Sequence, residues 1–132
     1  MSIEHKINVN THYTRSVNLK RDAGSESIVN SYIPTSRALK TLELFSHAFK
    51  EDESPRAWSL IGPYGSGKSS FASFLSNLLE KDNSSINASA YKVLSLASVE
   101  LSKEYKDMTE KGAGYCVVLL TGSPDSLGKR LI

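Results

Sequence analysis

Residues 57–79 constrain this chain more than any other part of its 132 residues. Ala57-Trp58-Ser59-Leu60-Ile61 is a short apolar run, bounded by Pro55 and Gly62 and of a length that suits a strand. Gly62-Pro63-Tyr64-Gly65-Ser66-Gly67 follows, and then Phe71, Phe74, Leu75, Leu78 and Leu79 recur at i, i+3, i+4, i+7 and i+8. That spacing sets these side chains on one face of a helix. The predicted order is strand, glycine loop, amphipathic helix.

The loop has a chemical reading of its own. Backbone N–H groups can wrap a polyphosphate only if the main chain comes close and takes positive φ, which glycine allows without a Cβ clash. Gly62, Gly65 and Gly67 supply that freedom, with Pro63, Tyr64 and Ser66 between them. The helix that follows adds its free amides and the positive end of its dipole. Lys68 is placed to reach the β- and γ-phosphates as a cation, Ser69 to set its hydroxyl on a bridging Mg2+, and Ser70 to extend the polar turn.

Gly62-Pro63-Tyr64-Gly65-Ser66-Gly67-Lys68-Ser69 fits G-x-x-x-x-G-K-[ST] and resembles the Walker A motif of P-loop NTPases. With Ser70 adjacent, it is similar to loops of the large AAA-like and STAND-like ATPases. The resemblance covers about residues 32–80. It implies ATP and Mg2+ as the bound species, and a linker flanking the adenine made of Tyr32-Ile33-Pro34 and the helix over 36–49.

The remaining chain fits an α/β reading: an incomplete P-loop-type three-layer fold with a short parallel sheet. Residues 1–34 are polar, with weak alternation at Ile7, Val9, Tyr13, Val17 and Leu19 that suits one or two edge strands, and read as an N-terminal arm. Residues 35–132 read as a partial nucleotide-binding domain. After Pro34, Thr35 or Ser36 caps a helix carrying Leu39, Leu42, Phe45 and Phe49. One further helix is expected through Leu94, Ala97, Leu101 and Tyr105, capped near Asn87 or Ser89 and closed by Gly112 and Gly114. Residues 115–120 form a continuous apolar run, predicted to lie as a strand parallel to 57–61. Ser123-Pro124-Asp125 opens another helix.

Hydrolysis in the resembled superfamily also needs an apolar strand ending in Asp or Glu. Here the run ends in Thr121-Gly122-Ser123, and Asp125 falls where a helix cap explains it. ATP hydrolysis is therefore expected to be slow, with Asp125, Glu100 and Glu104 the first acids to test. The short sheet would leave a raw edge for a protein partner or a second copy to cover. The chain is expected to be a shortened piece of a larger ATPase.

Composition sets the outer bounds. Sixteen Lys and Arg against fourteen Asp and Glu, without a basic cluster, give no nucleic-acid footprint. No run of apolar residues is long enough to span a bilayer, so a cytoplasmic protein without a membrane partner is expected. Cys116 allows no disulfide within the chain and reads as a buried thiol. His5, His12 and His47 stand too far apart for a metal-ligand pattern.

Overall fold

A computed structural model describes residues 17–22, 24–80, 84–111, 115–120 and 122. Helices supply the regular structure there: α1 (Leu19–Asp22), α2 (Glu26–Asn30), α3 (Ser36–Lys50), α4 (Lys68–Leu79), α5 (Ser85–Ala97) and α6 (Val99–Lys111).

Local signals account for most of their ends. Pro34 keeps the preceding backbone extended, and the Thr35 hydroxyl then accepts a hydrogen bond from the Ala38 amide at 3.3 Å to start α3. Ser84 does the same for α5, accepting from the Asn87 amide at 3.3 Å. Gly67, with φ +80°, turns the glycine loop into α4.

The core lies among the helices. Phe74 and Leu78 of α4 meet Val29 of α2, Leu42 and Phe45 of α3, Ala90 and Leu94 of α5, and Leu101 and Tyr105 of α6. Tyr32 stacks on Phe74 with ring centroids 4.5 Å apart, which draws the linker onto α4. The fully buried Tyr105 donates its hydroxyl hydrogen to the Leu42 carbonyl at 2.9 Å and ties α6 to α3. Beside it, Glu104 accepts from Ser46 at 2.8 Å and pairs with Lys50 at 2.9 Å.

These observations correct the α/β expectation: among the described residues there is no sheet. Residues 57–61 and 116–120 carry no regular structure and form no ladder with each other, and the one bridge joins Tyr115 in parallel to Glu80. A strand satisfies its amides and carbonyls only through a neighbour, whereas the apolar face of α4, which a sheet was expected to cover, is covered by α2, α5 and α6. Without a sheet, the edge that a partner was expected to cover is absent among the described residues. Both apolar runs rest against α3 through ring contacts, Trp58 on Phe45 at 4.8 Å and Tyr115 on Phe49 at 5.0 Å.

Three further readings change. Of the alternation read as edge strand, Ile7, Val9 and Tyr13 lie outside the described residues, while Leu19 opens α1; α2 follows, with Val29 buried against the core. The single helix expected through Leu94 and Tyr105 is two, because Ser98 is extended at φ −156° and its hydroxyl caps α6 by accepting from the Leu101 amide at 3.3 Å. Cys116 is exposed, since no sheet is there to enclose it. The expected helix after Ser123, with Asp125, lies outside the described residues, as do His5 and His12.

Candidate functional site

The apolar face of α4 anchors its first turn, so the loop before it hangs from a fixed helix end. Gly65 and Gly67 take φ +78° and +80°, the left-handed region in which a side chain is strained. At Gly62 the constraint is steric: a Cβ there would come within 3.0 Å of the Ser66 hydroxyl.

No side chain caps α4, and its first turn holds no acid. Its leading amides therefore face outward together with the positive end of the dipole, an arrangement that favours an anion. The Lys68 ammonium folds back over the loop and donates to the carbonyls of Gly62 at 2.8 Å and Pro63 at 2.7 Å and to the Ser66 hydroxyl at 3.1 Å. These contacts hold the cation above the loop. The Ser69 and Ser70 hydroxyls make no hydrogen bond among the described residues.

The loop lines a cavity of about 800 Å3, within the usual range for small-molecule sites. Gly62, Pro63, Tyr64, Gly65, Ser66, Gly67, Lys68, Ser69 and Ser70 all border it. The second wall comes from the linker and the start of α3, including Tyr32, Ile33, Thr35, Arg37 and Thr41. Lys68 and Arg37 are the charged residues of the lining, and no carboxylate is among the described residues that form it.

The acids named for testing lie elsewhere. Glu104 borders no part of the cavity and is engaged by Lys50 and Ser46, whose hydrogen bonds hold its carboxyl below the usual carboxylate range. Glu100 is exposed on α6 and likewise outside the lining. Among the described residues no group of three or more His, Cys, Asp or Glu side chains is placed to hold a metal ion. Ser69 is one of the hydroxyls of the lining that could serve a cation there.

Arg37 is the charged lining residue that sequence reading did not single out. A signal was present: it is a cation in the first turn of a helix, at the positive end of the dipole, where a cation is disfavoured. Trp58, in the apolar run read as a strand, is exposed and donates its indole N–H to the Pro55 carbonyl at 3.1 Å.

Comparison of the chain with protein-family models, with characterised proteins and with solved structures gives no match. No helix among the described residues is long and apolar enough to cross a membrane.

Proposed function

We propose that the chain binds a nucleoside triphosphate, ATP, with Mg2+ through residues 62–70, and turns it over slowly or not at all by itself. The observation that carries this reading is the set of groups meeting in one cavity: a glycine loop with two positive-φ positions, an uncapped helix start and the Lys68 ammonium. The reading needs no sheet, because each of these groups belongs to the loop or to α4.

The residues fit the ligand. A triphosphate presents several anionic oxygens, and the loop offers backbone donors and a cation without an opposing carboxylate among the described lining residues. Bound Mg2+ would bridge and neutralise the phosphates. Ser69, whose hydroxyl is uncommitted among the described residues, is the side chain to touch it. The base and sugar would lie toward Tyr32 and Ile33 on the second wall. Slow turnover follows from the same lining, since no described residue there is an acid that could orient a water molecule.

Isothermal titration with ATP-Mg tests the binding. Lys68→Ala should remove most of the affinity, and Ser69→Ala should weaken the Mg2+-dependent part more than the binding measured in EDTA. Equal affinities for the wild-type and Lys68→Ala proteins would end the reading. Phosphate release at saturating ATP-Mg, with Lys68→Ala as the blank, tests the turnover. Release near about one per second, at the low end of ordinary enzymes, would mean that a catalytic acid acts from outside the described lining.

A further inference from the structure

Five of the cations on this chain have an ion-pair partner among the described residues: Arg21 with Asp22, Lys50 with Glu104, Arg56 with Asp52, Lys106 with Glu110 and Lys111 with Asp107. Arg37 has none, and its guanidinium makes no hydrogen bond among the described residues. Lys40, Lys92 and Lys103 also lack an ion pair there, but none of them lines the cavity. What sets Arg37 apart is its position. It shares the wall of the loop cavity with Lys68, and no described acid of that lining neutralises either one.

Its backbone is held from both sides. Thr35 caps the turn that carries Arg37, and the Thr41 hydroxyl donates to the Arg37 carbonyl at 2.9 Å. The first turn of α3 contains no acid, so the positive end of the dipole is not offset locally where Arg37 stands. A bound anion supplies that offset, and a guanidinium meets phosphate oxygens through two parallel N–H donors.

We infer that Arg37 is a second phosphate ligand of the loop cavity, closing on the phosphate chain from α3 while Lys68 holds it from the loop. The inference rests on the proposed binding of a triphosphate at residues 62–70. It assigns Arg37 to the phosphates and not to the base, and it makes the cavity selective for polyphosphates over singly charged ligands.

The test compares two probes, ATP-Mg and inorganic tripolyphosphate with Mg2+, by isothermal titration against wild-type, Arg37→Ala, Arg37→Gln, Arg37→Lys and Lys68→Ala proteins. Arg37→Ala and Arg37→Gln should each weaken both probes by the same factor, about tenfold, as expected for loss of a charge-assisted contact. Arg37→Lys should recover part of the loss, and wild-type affinity should fall more steeply with salt than that of Arg37→Ala. Arg37 is exposed, so thermal unfolding without ligand should come at no lower temperature than in the wild type for any of the three Arg37 variants, which separates a lost contact from a damaged fold. Weakening of ATP with tripolyphosphate unchanged would overturn the assignment, since Arg37 would then touch base or sugar. Unchanged affinity for both probes in Arg37→Ala and Arg37→Gln, with Lys68→Ala still defective, would remove Arg37 and leave the loop reading standing. Failure of the wild-type protein to bind either probe, or wild-type affinity in Lys68→Ala, would remove both.

Discussion

Gly67 illustrates how a single residue sets the site. Its φ of +80° turns the loop into α4, and nothing lies within 4 Å of where a Cβ would stand, so the demand on this position comes from the backbone and not from crowding. Gly67→Ala should therefore cost about 1–2 kcal/mol through the left-handed conformation alone. Chemical denaturation would show that loss, and ATP-Mg affinity should fall with it because the Lys68 amide moves. Gly62→Ala differs in cause: its Cβ meets the Ser66 hydroxyl, so the double variant Gly62→Ala with Ser66→Ala should recover stability that Gly62→Ala loses. Such readings were open in the sequence, because a glycine between polar residues before an amphipathic helix has few other uses. The conformations of Gly65 and Gly67 and the contact at Gly62 needed the structure.

At the scale of elements, the starts of α3 and α4 were legible, whereas the cap of α5 is Ser84 and not near Asn87 or Ser89, and the expected strands form no ladder among the described residues. Thr35 caps α3 as its place after Pro34 predicts, and Thr35→Ala should lower stability by about 1 kcal/mol in a denaturation experiment. That change also loosens the turn that carries Arg37, so a loss of ATP-Mg affinity should accompany it. The Ser98 break was harder to see. The apolar positions Leu94, Leu101 and Tyr105 keep helical spacing across it, and one Ser with an extended backbone is enough to restart the chain as α6. Ser98→Ala should weaken α6 through loss of its cap to the Leu101 amide, again by about 1 kcal/mol.

For the molecule as a whole, α4 is the hub: Phe74 and Leu78 are fully buried among the other helices. Leu78→Ala should cost about 2–5 kcal/mol, read from the denaturation midpoint, and should impair ligand binding only through the fold. Between α3 and α6 the tie is electrostatic as well as apolar. The hydrogen bond from Lys50, with that from Ser46, lowers the pKa of Glu104. A carboxyl whose folded value lies below its unfolded one adds stability above the ordinary glutamate pKa, about 4.3, and loses it as pH falls through the lowered folded value. The wild-type melting temperature should therefore fall more steeply than that of Glu104→Gln as pH is taken from about 6 to about 3. Parallel curves would mean that the pair contributes nothing to acid stability, as solvent-exposed pairs often do.

The sequence by itself determined α3 and α4, a cap at Thr35 or Ser36 and the composition of the loop at residues 62–70, because each depends on neighbours within one or two turns of chain. A helix closes its own hydrogen bonds, and a glycine turn needs only its own dihedrals. Only the tertiary structure decided what becomes of residues 57–61 and 115–120, whose apolar character suits a strand but whose backbone groups need a partner elsewhere in the chain. The helices α2, α5 and α6 take the face of α4 that a sheet would have covered, so these segments stay without a ladder and touch α3 through Trp58 on Phe45 and Tyr115 on Phe49. The placing of Arg37 and Lys68 on one cavity was decided in the same way, since thirty-one positions separate them in the chain.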